Sequence, residues 1–192
     1  MKRIFLTLTC CMAILMLPAQ KNYKLNSPDG KISTNIQVDT DITYNIIVDG
    51  KQVLAPSSIY MKTSTGMNWG SKAKVKKVKE GSINETVTSP LSRQNEMENH
   101  CNVLTLSFSG NYGIEFRAYN NAAAYRFVST RAGEYTVKNE ISEYKFQDDN
   151  TVYCSYVRSN KEKKFEEQYY NAFEQPYTIE KMSQMGQNRL MF

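Results

Sequence analysis

The chain has 192 residues, 24 Lys and Arg against 19 Asp and Glu, a formal net charge of +5 and a single histidine. A histidine triad or proton shuttle would therefore rest on His100 alone, and no glycine-rich phosphate loop, nucleophile elbow or metalloprotease signature occurs. Part of the positive charge belongs to the extreme N-terminus and the rest is scattered, with no basic and aromatic stripe along one strand face, which sets nucleic acid aside as a partner.

Lys2 and Arg3 precede an apolar run from Ile4 to Leu17 that ends in Leu17-Pro18-Ala19. This predicts a secretory signal peptide over residues 1–19, cut between Ala19 and Gln20. The run falls short of the roughly 20 apolar residues a membrane helix needs, so no span is expected after cleavage. Cys10 and Cys11 leave with the leader, because Thr9 and Cys10 do not supply the small residue that precedes a lipoprotein cysteine. Residues 20–192 suit one domain. An oxidising compartment would permit Cys101 and Cys154 to pair, and two separate buried thiols are the other reading.

Strand signals dominate from there on. Gln37-Val38-Asp39, Ile42 to Val48 and Gln52-Val53-Leu54 are short β-branched segments between turns. Ser27-Pro28-Asp29-Gly30 reads as one turn, and Asp49-Gly50-Lys51, between two apolar runs, reads as a hairpin. Lys72, Lys74, Lys76, Lys77 and Lys79 alternate with Ala73, Val75 and Val78, the pattern of an edge strand or loop guarded by charge. Val103 to Phe108, Ile114 to Tyr119 and Ala124 to Val128 follow as three strands. Period-two alternation places Ile114, Phe116 and Ala118 on one face and Glu115, Arg117 and Tyr119 on the other. Tyr135-Thr136-Val137, Glu143 to Phe146 and Val152 to Tyr156 continue the series, and Gln187 to Phe192 reads as the start of another strand. Many short strands at regular spacing predict an all-β, mainly antiparallel sandwich.

Chemistry is harder to find. His100, at the head of a strand, reads as structural or solvent-facing. Glu162, Glu166, Glu167, Glu174 and Glu180 lie near Lys161, Lys163 and Lys164, which suits a solvated surface as well as an oxygen-donor set for a hard cation. Trp69, between Gly66 and Gly70, is the candidate for an exposed sugar-stacking ring, although aromatics also fill sandwich cores.

Several segments carry a resemblance. Asn26-Ser27-Pro28-Asp29-Gly30-Lys31, Asp49-Gly50-Lys51-Gln52-Val53-Leu54-Ala55-Pro56-Ser57, Asn99-His100-Cys101-Asn102-Val103-Leu104, Phe116-Arg117-Ala118-Tyr119-Asn120-Asn121 and Ala124-Tyr125-Arg126-Phe127, in this order after a leader, resemble the N-terminal domain of family 97 glycoside hydrolases. The resemblance implies a large β-sandwich packed on a catalytic (β/α)₈ barrel. The enzymes it points to are exported α-glucosidases or α-galactosidases, periplasmic or outer-surface proteins of Gram-negative bacteria acting on α-linked oligosaccharides. It also implies a calcium ion held mostly by the barrel, with one glutamate given by the N-terminal domain in an aromatic-Glu-x-x-Tyr pattern. Phe165-Glu166-Glu167-Gln168-Tyr169 is similar to that pattern and maps the ligand onto Glu166, with Glu167 the alternative if the register slips by one.

In that family the catalytic carboxyls, which flank the scissile bond about 5 to 10 Å apart, lie on the barrel. No catalytic pair is therefore expected within residues 20–192, and the domain is expected to be incomplete at its C-terminal end, from a truncated or split gene. Its partners would be the C-terminal barrel and, through the parent enzyme, the saccharide. The competing reading is a free-standing exported carbohydrate-binding or adhesion module.

Overall fold

The computed structural model describes residues 21–90, 95–156 and 176–185. The expected leader with Cys10 and Cys11, and the segment from Gln187 to Phe192, lie outside the described residues. Strands β1 (Lys21–Asn26), β2 (Ile32–Val38), β3 (Ile42–Val48) and β4 (Lys51–Thr63) form an antiparallel meander. The turn between β1 and β2 is held by Asp29, whose carboxylate accepts from the Ser27 hydroxyl at 2.6 Å and from the Lys31 N–H at 3.1 Å. The hairpin between β3 and β4 is a two-residue turn, with Val48 opposite Lys51. Asp49 and Gly50 both take positive φ, 48° and 80°, the geometry whose twist matches that of the flanking strands and favours Asp-Gly.

Strand β5 (Asn68–Trp69) pairs with β4, and β10 (Val137–Ser142) lies along the other side of β4. The second sheet has the order β6 (Val75–Thr88), β7 (Glu96–Phe108), β8 (Tyr112–Tyr119), β9 (Ala123–Ser129). A separate hairpin joins β11 (Thr151–Cys154) to β12 (Thr178–Lys181), which runs into a 3₁₀ turn at Met182–Gln184. Every pairing among these strands is antiparallel. The described residues contain no α-helix and no (β/α)₈ barrel.

Alternation makes the core. Ile32, Thr34, Ile36 and Val38 on β2 and Ile42 and Tyr44 on β3 point inward, as do Leu104, Leu106 and Phe108 on β7 and Ile114, Phe116 and Ala118 on β8. The two inner faces meet in one hydrophobic cluster, the arrangement of a β-sandwich. Each fully hidden aliphatic side chain contributes about 1.5–3 kcal/mol relative to exposure.

Lys76, Lys77 and Lys79 lie on β6, the edge strand of the second sheet, and Lys72 and Lys74 in the stretch that leads into it; only Val75 and Ile83 along β6 are half-buried. Beyond Cys101 the β6–β7 pairing outruns β8 and continues as a two-stranded ribbon to Thr88 and Glu96. Three expectations are corrected. Trp69 is not an exposed platform: it is 2 % exposed, because β5 turns its indole under Tyr112, Phe127 and Tyr135. Glu143 to Phe146 is not a strand, and within it only Lys145 makes a bridge, to Ala55. The strand sought at Tyr135 begins at Val137. Cys101 and Cys154 are both buried and both free, on different sheets.

Candidate functional site

Two places bring polar side chains together. On the outer face of the second sheet, the residues that alternate with the β8 core positions form a chain across four strands. Glu115 Oε1 accepts from Arg117 Nε and from an Arg126 terminal nitrogen, both at 2.9 Å. Tyr119 donates its hydroxyl to Asn99 Oδ1 at 3.1 Å, and Asn99 Nδ2 donates to Glu85 at 2.7 Å. The Tyr119 side chain, and then Glu115, hold Arg117 more firmly in its charged form than an isolated guanidinium, against the opposing effect of burial. Two guanidinium groups converging on one carboxylate oxygen make an array that holds side chains in place across the outer face.

The second place lies between the two sheets, where edge strands β9 and β10 face each other. Here the sandwich leaves a cavity of about 580 Å³ whose walls include Thr34, Tyr44, Phe116, Tyr125 and Tyr144. Tyr125 bridges the sheets: its hydroxyl lies 2.8 Å from Ser142 Oγ and 3.5 Å from Glu140 Oε1. The rings of Tyr44, Phe116 and Tyr125 are mutually tilted, with centroids 5.8 to 6.1 Å apart. Burial raises the phenol pKa of Tyr44 and of Tyr125; the Tyr144 phenol adds to both, and the hydrogen bond with Ser142 opposes the rise at Tyr125. Both remain neutral hydrogen-bonding groups rather than bases.

Glu166 and Glu167 lie outside the described residues, as do Glu162 and Glu174. Glu180 is on β12 and accepts a hydrogen bond from the Tyr156 hydroxyl. His100 is exposed on β7, opposite Asn84. Among the described residues no three His, Cys, Asp or Glu side chains gather closely enough to hold a metal. Sequence reasoning missed the cavity, whose lining comes from six separate stretches of chain. The outer-face array was half visible, since the β8 alternation had already set Glu115, Arg117 and Tyr119 on one face.

The Glycosyl-hydrolase 97 N-terminal family matches residues 25–191. A retaining alpha-galactosidase of Bacteroides thetaiotaomicron is 41 % identical over 192 residues, which is all of this chain and 29 % of that protein. Among solved structures, a Glycoside Hydrolase Family 97 enzyme from Pseudoalteromonas sp. strain K8, in complex with acarbose, superimposes on 82 % of the chain at 20 % identity and a TM-score of 0.66. The chain covers 24 % of that enzyme. A beta-arabinopyranosidase superimposes on 71 % of the chain, covering 23 % of its own, at 22 % identity and a TM-score of 0.62. These structural likenesses concern the fold.

Proposed function

The chain belongs to the glycosyl-hydrolase 97 N-terminal family, and from that premise we propose that it is the supporting sandwich domain of an exported, periplasmic α-glycosidase acting on α-linked galactosides. The observation that carries this reading is the 41 % identity, along the whole chain, to a retaining alpha-galactosidase of which the chain spans 29 %. The domain shapes the rim of an active site whose catalytic carboxyls a barrel domain supplies. Residues 1–19 act as the export signal and residues 20–192 as the domain.

Glu166, with Glu167 as the alternative, gives one ligand to a calcium ion. A hard cation of this kind takes 6 to 8 oxygens, and the described residues hold no cluster that could complete the set. One carboxylate cannot supply that number, and in this reading the remaining donors lie on the barrel. Calcium there would fix the position of the sugar-binding rim.

The test is reconstitution. The chain alone should release nothing from an aryl α-galactoside, and the chain combined with a matching barrel domain should turn it over in a calcium-dependent way. In the reconstituted protein Glu166→Gln should lower calcium affinity and turnover together. Turnover by the chain alone, abolished by a single Glu→Gln change, would overturn the reading.

A further inference from the structure

Strand β6 is the outer edge of the second sheet, paired with β7 on one side and with no strand among the described residues on the other. Its two halves differ. The first carries Lys76, Lys77 and Lys79 and a register shift between Val75 and Lys77, devices that keep a strand edge from pairing. From Glu80 to Thr88 there is neither a lysine nor a register shift, and Gly81 and Ser82 leave the main chain bare. Nothing within the chain calls for glycine at 81: its φ is not positive, and no atom lies within 4 Å of where a Cβ would stand. A glycine inside a strand weakens it and often marks a place where another backbone approaches.

Charge selects the partner. Lys77, Gly81 and Glu85 stand opposite Ser107, Val103 and Asn99 of β7, which places all three on the outer face with Gly81 midway. Among the described residues Lys77 has no anion and Glu85 no cation; Glu85 accepts from the neutral Asn99 amide. The main-chain groups of β6 that point away from β7 belong to every second residue, so two copies of β6 pair antiparallel with a residue on their two-fold axis. Lys79 or Glu80 on that axis would set like charges against each other. Gly81 on the axis sets Lys77 of each copy against Glu85 of the other, and the Lys79 stem along the half-buried Ile83. The pairing also backs the start of the exposed β6–β7 ribbon, Ile83 to Glu85, with a third strand, which a two-stranded ribbon needs for stability in water.

We propose that β6 is a self-association edge, at which two copies of this chain join antiparallel about Gly81 and merge the four strands of each second sheet into one continuous sheet. Each copy spends its only β6 edge on the other, so the pair closes as a dimer, and the lysines reject registers that bring like halves together. The edge shares no residue with the calcium site proposed above.

Sedimentation of residues 20–192, the exported form proposed above, should show monomer and dimer in exchange at concentrations on the order of 10–100 μM, as suits a small contact, with less dimer at high salt. Lys77→Glu and Glu85→Lys should each weaken association about tenfold, and the two combined should restore it. Gly81→Lys puts like charges on the axis and should abolish the dimer, while thermal unfolding of dilute protein does not worsen, since the new side chain enters open space. Under mild oxidation Gly81→Cys should cross-link the copies, because a residue opposite itself holds the two Cα atoms about 4.5–5.5 Å apart, within disulfide reach. A chain still monomeric at about 1 mM would overturn the dimer, as would association indifferent to these substitutions. Cross-linking through Ser82→Cys in place of Gly81→Cys would overturn the Gly81 axis. A dimer that dissolves when a matching barrel domain is added would assign the edge to the barrel and overturn the proposal likewise.

Discussion

Gly70 and Tyr112 are tied together across the sandwich: the Gly70 N–H donates to the Tyr112 hydroxyl at 3.2 Å. The Tyr112 ring meanwhile lies flat on Trp69, with centroids 5.3 Å apart and planes 6° apart. One tyrosine thus closes the short β5 strand against the opposite sheet, with its polar end satisfying a backbone donor and its face covering the indole. Tyr112→Phe keeps the stacking and orphans the Gly70 N–H, a change expected to cost about 1–3 kcal/mol in chemical denaturation. Gly70→Ala should be worse, because Gly70 sits at φ +97° and a Cβ there would stand 2.8 Å from the Ile59 carbonyl oxygen. Trp69 is the one tryptophan, so its fluorescence should be blue-shifted in the native protein and move red in the same transition.

Trp69 also shows what the sequence could not convey. Its neighbours Gly66 and Gly70 mark a loop correctly, and a loop aromatic suggests exposure. Its burial depends on Tyr112, some 40 residues away, and no local pattern encodes that contact. The strands whose two faces differ were legible: Ile114, Phe116 and Ala118 face the core as their alternation indicates. So was the Asp49-Gly50 hairpin, because its turn chemistry is local. The outer half of β6 was not legible, since a ribbon exposed on both faces leaves no hydrophobic period to read. The cavity escaped notice for the same reason as Trp69, its residues being brought together by sheet order alone.

That ribbon should be the least protected part of the second sheet. Glu96 to His100 pair with β6 on one side and have no β8 partner on the other, and a lone two-stranded ribbon is marginal in water. Hydrogen exchange should show fast amides over Thr86–Thr88 and Glu96–Glu98 and slow ones at Leu104 and Leu106, which are fully buried between neighbours. Equal protection along β7 would mean that another surface covers the ribbon.

Glu115 should matter more than either arginine it binds. Its side chain is 15 % exposed, whereas that of Arg126 is 62 % exposed, so Arg126→Ala removes a solvent-screened pair worth about 0.2–1 kcal/mol. Glu115→Ala strips the anion from Arg117 as well, whose side chain is only 25 % exposed, and is expected to cost about 2 kcal/mol. A double-mutant cycle on Glu115 and Arg126 separates the two contributions, since residues that share a partner couple.

Cys101 and Cys154 should behave as two inert thiols. Both are buried and free, Cys101 on β7 opposite Tyr119 of β8 and Cys154 on β11 opposite Thr178 of β12. Native protein comprising residues 20–192 should react slowly with a thiol reagent and release two reactive thiols on unfolding, and reduction should leave its stability unchanged. A stability loss on reduction would contradict this placement.

Stability should fall in acid through three surface carboxylates. Hydrogen bonds from the Ser27 hydroxyl and the Lys31 N–H depress the Asp29 pKa, the Lys145 ammonium and the Ser58 N–H depress that of Glu143, and the Ser183 N–H and hydroxyl depress that of Asp149. A group whose folded pKa is lowered binds fewer protons than it does in the unfolded chain, so it stabilises the fold as pH rises through that window. The contribution is complete above the ordinary values of 3.8 and 4.5 and disappears as pH falls through the lower folded values. The urea midpoint should therefore be flat near neutrality and drop below those values. Asp29→Asn, Glu143→Gln and Asp149→Asn combined should make the acid limb shallower, since none of the three positions then titrates. An unchanged limb would assign the acid sensitivity to other carboxylates and remove these three turns from the account.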